Sequence, residues 1–323
     1  MRYDDRDRES SNVEDRRGES GSPFGRGGMR IPIPMGGGRG GFSITTLLII
    51  GAIMMLFGFN PLDILRGGLG GGGGGGIQVP QLPRIDPGAS RQGSNPFELP
   101  GRNAQVDPSQ DEMKRFIGRV LADTEDVWSR VFKQFGRDYK EPKLVIFSGA
   151  FPTACGTGQA AMGPFYCPLD QKIYIDLAFY EELKRRFRAP GDFAQAYVVA
   201  HEVGHHVQTL LGIAEQVQRA KARMSERDAN RVQVKMELQA DCLAGVWAAM
   251  THQAKNRLQP GDIEEGLNAA QAIGDDMIQR QQTGRVVPDA FTHGSSAQRV
   301  RWFRKGLETA QVRECDTFNA PEL

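Results

Sequence analysis

A run of glycine at 67–76, interrupted only by Leu69, divides the chain. Glycine loses more conformational freedom on folding than any other residue and brings no side chain to a core, so this run is unsuited to a packed domain. Residues 60–109 as a whole are rich in Gly, Pro, Ser and amides, which predicts a flexible linker. A globular domain is therefore expected over 110–323, a length that suits one domain of about 200 residues.

Two segments of different character precede the linker. Residues 1–41 are polar, with charges of both signs and few large apolar side chains, which predicts a disordered tail. Residues 42–59 form an uncharged, mostly apolar run that is about 27 Å long as a helix. Because the hydrocarbon core of a bilayer is roughly 30 Å thick, this run is predicted to be a transmembrane helix. The alternative is a buried core helix, which the glycine-rich flanks disfavour.

The arginines around the apolar run predict its orientation. Arg26, Arg30 and Arg39 precede the run, whereas Arg66 follows it closely. The positive-inside rule then places the N-terminus in the cytoplasm and the domain on the extracytoplasmic side, in the periplasm or on the outer face. The sequence thus predicts a single-pass membrane protein.

Hydrophobic spacing predicts a mostly helical domain. One short strand is expected at 143–147, and a hairpin is expected from the apolar pieces at 165–166 and 173–175. Apolar residues at helical spacing predict one or two helices in the first of the following segments and one helix in each of the others: 112–135, 193–211, 213–228, 231–250, 262–281 and 296–308.

All four cysteines lie in this domain, and no two of them form a C-x-x-C pair, so a zinc ribbon is not indicated. An even number of cysteines in an exported domain permits disulfides. Four cysteines allow three connectivities. Cys155 and Cys167 flank a glycine-rich loop and are the favoured local pair, which leaves Cys242 to pair with Cys315.

Residues 201–205 read His-Glu-Val-Gly-His within a helical pattern. In a helix, His201 and His205 lie on one face, one turn apart, where both imidazoles can bind the same Zn²⁺ ion. Glu202, next to the first histidine, can reach a metal-bound water as general base. A structural helix that carries the same letters by chance is the alternative.

Catalytic zinc takes a third protein ligand and keeps one position open. Glu237 and Asp241 are again one turn apart, in an apolar frame typical of a second buried helix. Glu237 is the predicted third ligand. Asp241 is predicted to accept a hydrogen bond from the distal ring nitrogen of His201 or, as the alternative, of His205. A solvated acidic pair is the other interpretation of these two carboxylates.

The strings HEVGHHVQ, ELQADCLAGVW, GPFYCP, IYIDL and FTHGSSAQRVRWF closely resemble the neutral zinc metallopeptidase family of bacterial membrane-anchored proteins. The similarity covers roughly residues 110–318, together with the single span and the tether. This resemblance implies a zincin-like fold of the α+β class, mostly helical with a small antiparallel sheet and preceded by one transmembrane helix. It also implies Zn²⁺ as the cofactor and peptide hydrolysis as the activity.

The predicted function is therefore that of a membrane-anchored zinc metallopeptidase acting on a peptide or protein substrate. His293 is either a donor that stabilises the oxyanion or a residue that orients the helix starting near Ser295. The substrate is expected to pair with an edge strand, either 172–176 or 143–147.

Two other functions fit the same residues. One is a membrane-tethered, non-catalytic binding protein with a structural or vestigial zinc site, and the other is a hydrolase of peptidoglycan cross-links. A nucleic-acid partner is not indicated, because 40 Lys and Arg oppose 39 Asp and Glu. The sequence carries no signal for the oligomeric state.

Overall fold

The amphipathic stretches of the sequence become helices, and these make up most of the part that the computed structural model describes, which is residues 1–19, 108–159, 163–185 and 189–323. The helices are α1 (Pro108–Gln134), α2 (Ala178–Arg185), α3 (Asp192–Leu210), α4 (Ile213–Lys221), α5 (Glu226–Lys255), α6 (Asp262–Ala272), α7 (Asp275–Thr283) and α8 (Ser296–Thr309). Their apolar faces bury large side chains in one core, including Trp128, Tyr197, Trp247 and Phe303. The mostly helical α+β class is confirmed.

Several element boundaries differ from the predicted ones. The segment 112–134 forms a single helix, α1, which is one of the two predicted alternatives, while 262–281 is divided between α6 and α7 at Ile273–Gly274. The helices predicted at 213–228 and 231–250 are α4, which ends at Lys221, and α5, which runs from Glu226 to Lys255. At Gly274 the backbone approaches the next helix so closely that a Cβ would lie 2.5 Å from the backbone nitrogen of Ser296. Helix α2 was not predicted, because its eight residues give too short a periodic pattern to recognise.

The strands form one four-stranded sheet and one hairpin. Their bounds are β1 (Val13–Asp15), β2 (Lys143–Phe147), β3 (Ala150–Thr153), β4 (Gly156–Gln159), β5 (Phe165–Cys167) and β6 (Lys172–Asp176). The sheet order is β1-β2-β6-β5, with β1–β2 and β2–β6 parallel and β5–β6 antiparallel, while β3 and β4 pair separately. The predicted hairpin is present as the antiparallel pair β5–β6. The four-stranded sheet as a whole is mixed and not antiparallel, because the chain between β2 and β6 returns so that β6 runs alongside β2 in the same direction.

Residues 1–19 pack on the domain, so the prediction of a disordered tail does not hold for them; 20–41 lie outside the described residues. Strand β1 pairs with β2, which gives its backbone groups partners. Asp7 accepts two hydrogen bonds from Arg257, at 2.6 and 2.8 Å, and the same guanidinium lies over the ring of Tyr3. The alternating charges of this segment therefore have fixed partners in the fold, which composition alone does not reveal.

The predicted span at 42–59 and the linker up to residue 107 also lie outside the described residues. Among the helices of the described ranges, none is both long and apolar enough to cross a bilayer. The predicted orientation placed the N-terminus and the domain on opposite sides of a membrane. The structure shows that β1 pairs with β2, so residues 1–19 belong to the same folded unit as the domain.

Both favoured disulfides are present. Cys155 bonds to Cys167 and ties the turn between β3 and β4 to the end of β5. Cys242 bonds to Cys315 and ties α5 to the short 3₁₀ turn Val312–Cys315. The predicted connectivity is therefore confirmed.

Glycines set the helix crossings that shape the site. At Gly204 of α3, a Cβ would lie 3.1 Å from both the Cα and the carbonyl oxygen of Ala240 in α5. At Gly245 and Gly306, where α5 crosses α8, a Cβ would lie about 2 Å from the facing backbone, at 2.1 and 1.9 Å. These contacts bring α3 and α8 against α5 at backbone-to-backbone distance.

Candidate metal centre

Two histidines of α3 and one glutamate of α5 converge where these helices cross at Gly204. Nε2 of His201 and Nε2 of His205 lie 3.2 and 3.4 Å from the same carboxylate oxygen of Glu237, Oε2. The ligand atoms of all three residues lie within 4.8 Å of one another. The structure thus brings together the three residues that the sequence predicted as metal ligands.

Helix α3 begins in a way that depends on another helix. Its N-cap position is Gly191, with φ of 123° and no side chain to cap the first turn. Glu265 of α6 supplies the missing acceptor, because its carboxylate takes a hydrogen bond from the backbone N–H of Phe193 at 3.1 Å. L side chains rarely adopt this φ, so the backbone conformation favours glycine at position 191.

Asp241 orients His201, as one of the two predicted pairings has it. Its Oδ1 lies 2.8 Å from Nδ1 of His201, which places the N–H on Nδ1 and leaves Nε2 facing Glu237. Asp241 is fully buried, and Arg299 of α8 donates to both of its oxygens at 2.9 Å. The hydroxyl of Tyr197 donates to it as well.

The sequence did not predict that Arg299 and Tyr197 would hold Asp241. The pairing of Arg299 with Asp241 bridges 58 positions of the chain. The 2 % exposed side chain of Arg299 is buried behind the cluster. The sequence signal for a buried Arg299 is its position among apolar residues of one helix, but this pattern does not identify its partner.

The second oxygen of Glu237 is also occupied. Gln233, one turn earlier in α5, donates to Oε1 at 2.8 Å, and the amide oxygen of Gln233 accepts from Lys221 at 2.6 Å. Since Oε1 is engaged in this way, Oε2 is the oxygen that Glu237 presents to the two imidazoles. The arrangement favours a ligand that binds through one oxygen.

The carboxylates of Asp241 and Glu237 make the cluster favourable for positive charge. Burial alone would lower the pKa of His201, but Asp241 and Glu237 outweigh it and raise that pKa to about 9. Burial would raise the pKa of Asp241, and Arg299 and His201 together lower it to about 2. Glu237 likewise keeps a pKa well below its usual range despite burial, because of His205 and His201.

This donor set fits zinc. Two imidazole nitrogens and one carboxylate oxygen form the ligand set of many hydrolytic zinc sites, which leave the fourth position to solvent. Here both Nδ1 atoms are held by acceptors outside the cluster, which is the outer-shell arrangement typical of zinc-binding histidines. Within the described ranges, His201, His205 and Glu237 are the histidine-containing group that could hold a metal.

Glu202 differs from the other acids of the cluster. It is 7 % exposed, and within the described part of the chain no side chain or backbone group forms a hydrogen bond with its carboxylate. Burial raises its pKa, while the nearby histidines act in the opposite direction. A desolvated carboxylate with free lone pairs is suited to take a proton.

His293 lies close enough to Glu237 for the carboxylate to raise the pKa of its ring, although burial opposes this and Asp275 contributes more. Nδ1 of His293 lies 3.2 Å from Asp275, whose carboxylate also accepts from the backbone N–H of His293 at 2.6 Å. Of the two predicted roles, orientation of the helix belongs to Ser295, the N-cap of α8, with Gln298 completing a capping box.

His206 lies off the cluster. One ring nitrogen meets the hydroxyl of Tyr166 at 3.0 Å and the other meets the carbonyl oxygen of Lys140 at 2.6 Å. Burial lowers its pKa to about 4, so the ring is neutral near pH 7. His206 therefore joins β5 to α3 through its hydrogen bond to Tyr166.

Two histidines and one glutamate that converge between two crossed helices of a mostly helical α+β domain match the ligand set typical of zinc-dependent hydrolases. The family described as "Putative neutral zinc metallopeptidase" matches residues 1–318, so the chain belongs to this family and its cofactor is Zn²⁺.

Relatives share most of the chain. "Uncharacterized protein YpfJ" of Escherichia coli (strain K12) is 44% identical over 319 residues, which cover 98% of this chain and 99% of the relative. "Uncharacterized protein Rv2575" of Mycobacterium tuberculosis (strain ATCC 25618 / H37Rv) is 41% identical over 222 residues, which cover 66% of this chain and 74% of the relative. No solved structure matches the chain.

Proposed function

We propose that this protein is a zinc-dependent metallopeptidase in which His201, His205 and Glu237 hold the metal and Glu202 is the general base. The convergence of the three ligand atoms within 4.8 Å, beside an acid that has no hydrogen-bonding partner in the described residues, carries this proposal. Family membership supports the zinc and the peptidase class.

The chain's own residues have separate tasks in hydrolysis. Zinc bound by the three ligands supplies Lewis acidity to the scissile carbonyl and to the attacking water. Glu202 takes the proton of that water and passes it to the leaving amine. Asp241, held by Arg299, keeps Nδ1 of His201 protonated so that Nε2 remains a ligand.

His293 is the proposed donor to the oxyanion that develops during attack on the peptide carbonyl. Its Nδ1 is engaged by Asp275, so Nε2 is the nitrogen left for a substrate. Its side chain is half exposed, as a group that meets substrate must be. Burial opposes protonation, but Asp275 and Glu237 raise its pKa, which favours the charged form that donates most strongly.

The substrate strand is a different one from those predicted. Both predicted strands are interior, since β2 lies between β1 and β6, and β6 lies between β2 and β5. Strand β5 has one edge paired to β6, and its other edge pairs with no strand of the described residues. Tyr166 in β5 bonds to His206 beside the ligands, so we propose that this edge aligns the peptide.

A non-catalytic protein with a structural zinc remains the alternative function. Structural zinc sites have four protein ligands and no open position. In the described parts of the chain, only three such groups gather at this site. The presence of three protein ligands rather than four favours the catalytic function.

Replacement of Glu202 by glutamine is the decisive experiment. Glu202→Gln keeps the volume but removes the base, so hydrolysis of casein or a peptide library should fall by about 10²–10⁴-fold, while one zinc ion per chain stays bound. Glu215→Gln, at a glutamate whose side chain is 72% exposed, is the matched control. Wild-type rates for Glu202→Gln would refute the mechanism, and a wild-type chain with one zinc but no proteolysis would favour the structural alternative.

We further propose an extracytoplasmic location for the described parts of the chain. Two disulfides, which persist in oxidising compartments, support it. Residues 1–19 share this location with the domain, because β1 is paired to β2.

A further inference from the structure

The two histidines of the cluster are held by partners of different kinds. A carboxylate, Asp241, faces Nδ1 of His201, whereas the neutral amide of Gln208 faces Nδ1 of His205 at 2.9 Å. A carboxylate can only accept a hydrogen bond, but an amide can donate or accept. The tautomer of His205 therefore depends on which end of the Gln208 amide is turned towards it.

Two backbone carbonyls determine that orientation. Nε2 of Gln208 donates to the carbonyl oxygen of Met236 at 2.8 Å and to Oε1 of Gln239 at 3.0 Å. Gln239 in turn donates to the carbonyl oxygen of Cys315 at 3.0 Å. A carbonyl oxygen can only accept a hydrogen bond. Turning either amide around would therefore place its oxygen against another oxygen, with no proton between them. Oε1 of Gln208 thus faces His205, whose Nδ1 must carry the proton and leave Nε2 bare.

A disulfide anchors the far end of this line of hydrogen bonds. Cys315 is buried and bonded to Cys242 of α5, the helix that also carries Glu237. Just beyond it, the hydroxyl of Thr317 donates to the carbonyl oxygen of Lys235, again in α5, at 2.6 Å. The carbonyl of Cys315 therefore has a fixed position relative to the ligand helix.

We propose that Gln208 and Gln239 are positioning residues that, anchored by the Cys242–Cys315 disulfide, hold His205 in the tautomer that binds zinc through Nε2. Reduction of the disulfide releases the Cys315 carbonyl and allows Gln239 to reverse. Gln208 then keeps only the Met236 carbonyl to fix its orientation, so its reversal becomes less costly. A reversed Gln208 presents an N–H to Nδ1 and favours a proton on Nε2, which then cannot bind metal. The inference rests on the proposed zinc site.

The first test measures zinc affinity of the full chain by competition with a chromophoric chelator. Gln208→Met keeps the approximate volume without the hydrogen bonds and should weaken zinc binding by about 10–100-fold, the cost typical of a lost outer-shell partner. Gln239→Met should weaken it by a smaller factor. Gln195→Met, in the first turn of the same helix, is the control and should bind zinc like the wild type. Wild-type affinity in both glutamine variants would overturn the inference.

The second test separates the two disulfides. The pair Cys242→Ser and Cys315→Ser should weaken zinc binding by about tenfold, within the range expected for outer-shell changes. The pair Cys155→Ser and Cys167→Ser should leave it unchanged. Equal affinities for the two double variants would overturn the role assigned to the disulfide.

A third measurement needs no variant. In nitrogen-15 NMR spectra of the zinc-loaded chain, the proton of His205 should be coupled to Nδ1, and metal binding should perturb Nε2. The opposite assignment would overturn the inference even where a variant fails to fold. A wild-type chain that binds no zinc would overturn the proposed function as well, whereas zinc binding that is indifferent to both glutamines would overturn this inference alone.

Discussion

At the scale of single residues, the site separates ligands from the groups that hold them. The proposed ligands face one another across α3 and α5, and each is fixed by a partner of its own: Asp241 for His201, Gln208 for His205 and Gln233 for Glu237. His293 stands apart from this set, because Asp275 positions it without contacting a ligand. Metal affinity and oxyanion stabilisation should therefore respond to different substitutions.

The pair of Asp275 and His293 provides the test. His293→Ala should lower kcat by about 10²–10³-fold with zinc affinity unchanged, as expected for loss of an oxyanion donor. Asp275→Asn keeps an acceptor for the backbone N–H groups but loses the charge that holds the ring, so it should lower kcat by a smaller factor. Kinetics of the double variant should match His293→Ala alone. A further loss in the double variant would mean that Asp275 acts independently of His293.

At the scale of elements, close helix contacts decide where the ligands lie. Helix α5 contacts α3 at Gly204, where a methyl group would be tight against the backbone, and α8 at Gly245 and Gly306, where it would collide with the backbone. Arg299 is presented by α8, so the spacing between α5 and α8 also sets the distance from Arg299 to Asp241. Small residues at these crossings are therefore part of the metal site's construction.

Gly306→Ala tests this spacing. Its Cβ would lie 1.9 Å from the carbonyl oxygen of Cys242, so the helices must separate and the free energy of unfolding should fall by about 1–3 kcal/mol or more. Gly118→Ala is the control, since a Cβ there meets its nearest atom at 3.6 Å. Alanine in that helix interior should raise stability by up to about 1 kcal/mol. Urea unfolding of both variants checks the contrast, and equal midpoints would contradict it.

At the scale of the whole molecule, the chain's first residues belong to its last domain. Ion pairs bridge long sequence separations, as between Asp7 and Arg257, and between Arg8 and Glu125. Strand β1 adds a backbone pairing to β2. Any membrane arrangement of this protein must therefore keep residues 1–19 and 108–323 on one side.

Cysteine labelling tests that arrangement. Arg6→Cys and Arg219→Cys replace side chains that are 93% and 67% exposed, one in the N-terminal segment and one in the domain. In intact cells made permeable only at the outer envelope, a membrane-impermeant maleimide should label both variants equally. The wild type, whose described cysteines are all in disulfides, should remain unlabelled. Labelling of one variant alone would contradict a shared side, and labelling of both only after lysis would contradict the extracytoplasmic location.

The sequence by itself determined the features that depend on local spacing, either between residues one helical turn apart or between residues within one strand. The spacing of His201 and His205, and of Glu237 and Asp241, follows from the helical period, and strand 143–147 follows from its apolar run. Both disulfides could be predicted because four cysteines leave few pairings.

Only the tertiary structure decided which distant groups meet. Arg299 reaches Asp241, Cys315 reaches Gln239, and β1 reaches β2 because helix crossings, a disulfide and a parallel strand pairing bring them together. Such contacts leave no period in the sequence, since a hydrogen bond or ion pair depends on position in space and not on separation along the chain. For the same reason, the parallel pairings of the sheet and the docking of residues 1–19 were not predicted.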